Sequence, residues 1–275
     1  MSVSTPPAAP PAPAPVPAGR PRRPPPRWTL WAGLAVVAVI TGWSAYQIDF
    51  TLAPLLTDIG RGSEIVARFF DPNWPFIVRV WPRWLETIYI AVIAAVVGNS
   101  VALFVSLVAS RVTSPDRGVY QVGKAVLSVV RSLPDVAYGL LFVAAVGTGA
   151  MGGILALIMF NIGVNAKLTS ETIDAVDTGP LEAADAAGAN RLQRAWSAVV
   201  PQILPSYLSY SLYVFELNIR ASVVIGLVGG GGIGNVIRVE LAGFRYENIG
   251  AVILALFVVV FVLDRVSIWF RRRLV

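Results

Sequence analysis

The sequence predicts an all-α, polytopic membrane protein with about six transmembrane helices. Two observations carry this, and a third narrows the chemistry. Of its 275 residues, 56% are hydrophobic and only 14% charged, with a mean hydropathy of +0.68; a soluble domain carries roughly 25% charged residues and ~45–50% apolar ones. Charge-free runs near the ~20 residues that cross a bilayer recur along the chain. There is no Cys and no His. That excludes disulfides, thiolate nucleophiles, His-containing triads and Cys or His metal sites. The net charge of +6 and pI near 10 would point a soluble protein toward nucleic acid. In a membrane protein, basic excess belongs on cytoplasmic loops, so no nucleic-acid partner is expected.

Residues 1–27 are expected to form a disordered, Pro/Arg-rich cytoplasmic tail. They hold eleven of the 20 prolines and no acid, a composition that cannot bury a core. They do not read as a signal peptide. Residues 28–47 form the first span. Residues 48–83, with four acids, four arginines and Pro54, Pro72, Pro75 and Pro82, read as extracytoplasmic. Ile59–Phe70 is a candidate interfacial helix there, with Trp74, Trp81 and Trp84 as anchors. Residues 84–275 form the core.

Thr87–Ser110 is the second span and Arg111–Lys124 a short basic loop. Val119–Ala166 is ~72 Å of helix, about twice a bilayer, so it holds two spans, about 120–147 and 151–171, parted by the glycines from Gly147 to Gly153. Residues 172–200 are a polar loop. Ala195–Val228 is span five, with Pro201 and Pro205 at its start. Gly229, Gly230, Gly231, Gly232 and Gly234 end it. Asn235–Glu247 is polar, and Ile249–Phe270 is span six. Six spans with this Lys/Arg bias place both termini in the cytoplasm.

The 172–200 loop contains a predicted helix over 180–194. Pro180 suits a first turn. Glu182 and Asp185 complement its positive end and Arg191 and Arg194 its negative end. Between them it is nearly all Ala and Gly, a face without bulk. Such a helix either inserts into a groove on another protein or lies on the membrane surface.

Glu182-Ala183-Ala184 with Gly188, followed by Ile203-Leu204-Pro205, resembles the EAA loop of ABC importer permeases. Arg131-Ser132-Leu133-Pro134-Asp135, Phe215 through Ser222, and Gly226 through Gly234 resemble the phosphonate-importer branch of that family. The resemblance covers about residues 84–270. It implies a type I importer permease of the bacterial inner membrane. Glu182, Ala183, Ala184, Asp185, Gly188 and Pro205 would then belong to the cytoplasmic coupling element. The expected partners are a second copy of this chain, two cytoplasmic ATPase subunits, one extracytoplasmic substrate-binding protein and the bilayer. No cofactor is expected in this chain; ATP and Mg belong to the ATPase. The expected substrate is a small phosphorus oxyanion (phosphonate, phosphate or phosphite), moved by alternating access. A secondary transporter or channel for a small anion is the alternative; it would predict inverted repeats and isolated midplane carboxylates.

Charges inside spans are costly. Arg131 with Asp135, and Glu216 with Arg220, stand at i, i+4; helical spacing puts each pair on one face, so each can neutralise itself. They either lock packing or, with Asn218, line the path, where an anion needs transient positive partners. Pro134 frees backbone groups that a wet cavity would satisfy. The 229–234 glycines lack the Lys-Ser/Thr ending of a phosphate loop. They read as a flexible outer gate or as a turn re-entering the membrane beside span five.

Overall fold

The computed structural model describes residues 28–53 and 57–274. The Pro/Arg-rich tail lies outside them. Among the described residues there are helices and no strands. The chain divides into two units at residue 59. The first carries α1, Trp28–Gln47, an apolar helix without charge.

The second unit opens with α2 (Ile59–Phe69), α3 (Trp74–Arg79) and α4 (Trp81–Val108). α2 buries no residue and carries a Glu64–Arg68 pair at 2.6 Å. Its end is tied down, because the Asn73 N–H donates to the Glu247 carbonyl (3.1 Å) and Asn73 Nδ2 to Asn248 Oδ1 (2.9 Å). α4 begins six residues before the predicted start at Thr87, with Pro82 in its first turn. This corrects one anchor. Trp74 and Trp81 are exposed, but Trp84 is 5% exposed and packs with Val80, Ile233, Ile237, Ile249 and Val252.

α5 (Arg117–Ser132) starts on Asp116, whose carboxylate accepts from the N–H groups of Gly118 (2.7 Å) and Val119 (2.9 Å). It ends at Leu133, and α6 (Asp135–Val146) leaves at 87°. The predicted 120–147 rod is therefore broken. Proline has no N–H and pushes the residue before it into extended backbone; Leu133 sits at φ −84°, ψ 132°. Five described helical stretches are long and apolar enough to cross a membrane, and the α5–α6 pair makes a sixth if it is one broken span.

α7 (Ala150–Ile173) is the hub, packed against α4, α5, α6 and α10 (Val200–Leu227). α4 meets it through small residues: Ala94, packed with Ala156 and Leu157, and Ala102, packed with Ala166, are fully buried. Without a hydrophobic drive between spans, close van der Waals approach holds them. Two buried asparagines set the register. Asn161 Nδ2 donates to the Ala94 carbonyl (2.8 Å). Asn165 Nδ2 donates to Asn99 Oδ1 (2.9 Å) and Ser211 Oγ (3.2 Å), while its Oδ1 accepts from Thr169 Oγ1 (3.0 Å). Asn165→Ala removes one partner from each of Asn99, Ser211 and Thr169 at once. The expected loss is about 1–3 kcal/mol, read as a lower thermal midpoint in detergent. The chain closes with α11 (Gly232–Ala242) and α12 (Tyr246–Leu274).

Candidate functional site

The loop after α7 is built from Asp174 onward. Its Oδ1 accepts from Ser110 Oγ (2.6 Å) and the Arg111 N–H (2.9 Å), and its Oδ2 lies 3.3 Å from Lys124 Nζ. Three elements thus meet where the loop begins. Asp177 Oδ1 accepts from the Gly179 N–H (3.0 Å), starting α8, Gly179–Ala186. Leu181 is buried against Ile173, Ala198, Val199 and Ile203. Glu182, Ala183, Asp185 and Gly188 are exposed, and Ala184 is half-buried.

The predicted 180–194 helix is corrected here. Gly188 has φ +77°, a left-handed conformation that stops α8. Asn190 and Gln193 then form a reciprocal cap, 2.9 Å each way, on a short α9, Arg191–Arg194. A π-helical turn, Ala195–Val199, leads into α10. Pro205 is exposed inside α10. Arg191 and Arg194 therefore do not cap a long helix. Arg194 bridges Asp185 (3.1 Å) and donates to the Val112 carbonyl (3.0 Å), and Arg191 donates to the Pro115 carbonyl. Both act as struts to the α4–α5 loop. Sequence spacing gave no signal for a contact 76 or 82 residues away.

The in-span charges divide. Arg131 and Asp135 do not form the expected i, i+4 pair, because Pro134 separates them into two helices; among the described residues neither has an ion-pair partner. Asp135 accepts instead from the Val136 N–H (2.9 Å). Both still line one cavity of about 300 Å³, with Val130, Leu133, Pro134 and Tyr138 among its walls. Pro134 cannot donate to the Val130 carbonyl, and Tyr138 Oη does so at 2.7 Å. The freed backbone group is met by a side chain, not by a wet cavity.

Glu216 and Arg220 do pair on α10, and Arg271 of α12 adds a second cation 3.3 Å from Glu216. Glu216 is 5% exposed and the Arg220 side chain 51%. Asn218 is turned away from this face. It is fully buried and donates to the Ala91 carbonyl of α4 (3.3 Å), which corrects its placement as a lining residue.

Gly229, Gly230, Gly231, Gly232 and Gly234 are all buried in the turn from α10 into α11. The Gly149 N–H donates to the Gly229 carbonyl (2.8 Å), and Thr87 Oγ1 accepts from the Ile233 N–H (2.8 Å). The turn is thereby fixed to α4 and to the α6–α7 connection.

Three comparisons bear on this arrangement. Residues 102–275 match the family described as binding-protein-dependent transport system inner membrane component. The phosphite transport system permease protein PtxC of Stutzerimonas stutzeri is 34% identical over 244 residues, 86% of this chain and 88% of that protein. The phosphate-import permease protein PhnE of Mycolicibacterium smegmatis is 33% identical over 222 residues, 80% of this chain but 42% of that protein. The chain thus spans less than half the length of the mycobacterial relative. Among solved structures, an inward-facing MetNI methionine ABC transporter aligns with a TM-score of 0.63 at 19% identity, over 73% of this chain and 98% of that chain. At that identity the likeness is one of fold.

Proposed function

The chain belongs to the family of binding-protein-dependent transport system inner membrane components, and from that premise we propose that it is the permease subunit of an ATP-driven importer of a small phosphorus oxyanion. The observation that carries this reading is α8. It holds Glu182, Ala183, Ala186 and Ala187 out into solvent, while Leu181 is buried behind it and Arg194 ties Asp185 to the α4–α5 loop. A small-residue face held out on a rigid mount suits insertion into a partner's groove, and a separate ATPase is the partner this family premise supplies.

In this reading two copies form a closed pair about a two-fold axis. One ATPase docks on each α8, and a substrate-binding protein docks on the opposite face. Both termini are cytoplasmic, and ATP and Mg stay with the ATPase. ATP binding draws the two coupling segments together. Arg191 and Arg194 carry that motion into the α4–α5 loop, and Asp174 carries it into α5 through Lys124. The conduit opens outward, accepts the anion and resets after hydrolysis. ATP supplies the differential affinity for the two states that such a switch requires. Phosphate, phosphite and phosphonate are supported as cargo by the names of the relatives and by Arg131 and Arg220 facing open space.

The test is uptake of labelled phosphate, phosphite and methylphosphonate by cells expressing the chain with and without its ATPase and binding protein. Uptake is expected only with all three. Flux through the purified chain alone in liposomes would overturn the reading and favour a secondary transporter or channel.

A further inference from the structure

Glu216 is held by two arginines on two helices. Its Oε1 accepts from Arg220 one turn along α10, and its Oε2 from Arg271 Nη2, 3.3 Å away on α12. Arg271 also lies over the Tyr213 ring, 5.9 Å from its centroid. Two positive charges and one negative charge therefore share one place, a net of one positive. The count matters. A Glu–Arg pair alone is neutral and gives an incoming anion no net attraction. With Arg271 present, one positive charge is unbalanced. Exposure says where it surfaces: the Arg220 side chain is 51% exposed, Arg271 25% and Glu216 5%.

We propose that Arg271 is a positioning residue that keeps Arg220 available to a passing phosphorus oxyanion. This rests on the reading above, in which Arg220 faces the path. The step is an exchange of hydrogen bonds, with no covalent change. Arg220 trades Glu216 Oε1 for an oxygen of the anion, while Arg271 keeps Oε2 and holds the carboxylate back. On release Arg220 returns to Oε1, which limits trapping. A carboxylate without Arg271 would compete for Arg220 with its full charge.

The experiment measures uptake of phosphate, phosphite and methylphosphonate by the complete importer, with membrane abundance measured in parallel. Arg271→Gln makes the cluster neutral. The maximal rate is expected to fall about tenfold, the order of effect of one unit charge at short range in a partly screened site. KM is expected to hold, because capture stays with the binding protein. Arg271→Lys keeps the charge and should transport nearly as the native protein does. The double variant Glu216→Gln/Arg271→Gln restores a net of one positive and should recover most of the rate. A structural clamp would instead be lost just as fully in the double variant. The inference is overturned if Arg271→Gln transports normally, if Arg271→Lys is as slow as Arg271→Gln, or if the double variant is no faster than the single. Arg220→Gln separates the two levels. If it leaves uptake intact, the reading of Arg220 as a path residue fails; if it abolishes uptake while Arg271→Gln is silent, only the role of Arg271 fails.

Discussion

Gly188→Val is expected to abolish uptake while Gly188→Asn retains most of it. Gly188 sits at φ +77°, and a Cβ added there meets nothing within 4 Å. The obstacle is therefore the backbone conformation, not crowding within the chain. A left-handed residue with a Cβ costs about 1–2 kcal/mol, β-branched residues are outliers there, and Asn is several-fold enriched. Val and Asn are of similar bulk, so the pair separates backbone tolerance from volume on the exposed face. The consequence of losing the turn is specific. α8 would run on toward Asn190, and Arg194 would no longer meet Asp185 while donating to the Val112 carbonyl. The measurement is binding of the ATPase subunit to the permease, alongside uptake. Equal loss in both variants would assign the effect to bulk at the docking face. Equal retention would remove the turn from the coupling path.

The apolar spans were legible in the sequence because a charge-free run of bilayer length is a local property. The coupling segment was legible in its residues but not in its shape. Glu182, Asp185 and Gly188 were found, yet a glycine inside an Ala-rich run reads as tolerated helix unless its positive φ is known. The same limit acted at Pro134. Proline breaks a helix, yet the i, i+4 spacing of Arg131 and Asp135 reads as pairing, which needs a continuous helix. The two readings exclude each other, and proline wins because it lacks a donor and restricts Leu133. Arg271 opens the Arg271-Arg272-Arg273 run after span six, where basic residues are expected at a cytoplasmic edge. Its contact with Glu216 crosses 55 positions, and no spacing rule reaches that far. The path-lining role expected of Asn218 fails for a related reason. That residue lies two residues from both Glu216 and Arg220, hence on another face of α10, and the buried side of that face is α4.

Gly234→Ala is expected to be the most destabilising single-methyl change in this fold. An added Cβ would lie 2.0 Å from the Val223 carbonyl oxygen and 2.8 Å from Gly226 Cα. Both neighbours are backbone, so neither can rotate aside. Gly226 meets the same contact from the other helix, its added Cβ lying 2.7 Å from Gly234 Cα. α10 and α11 thus touch main chain to main chain, and relief requires moving a helix. Overpacking a core commonly costs 1–3 kcal/mol and occasionally more; with no side chain able to yield, about 3 kcal/mol or more is expected here. That is a large share of a total stability on the order of 5–15 kcal/mol. The readout is the yield of monodisperse protein and its thermal midpoint in detergent. Gly33→Ala in α1, where nothing lies within 4 Å, supplies the opposite sign, since Ala is favoured over Gly within a helix by about 1 kcal/mol. If Gly234→Ala were as stable as Gly33→Ala, the glycine run would be a flexible loop and not a packed turn. The expected split assigns its composition to two separate needs. Gly231 and Gly232 hold positive φ at the bend, whereas Gly226 and Gly234 are small because two helices meet there.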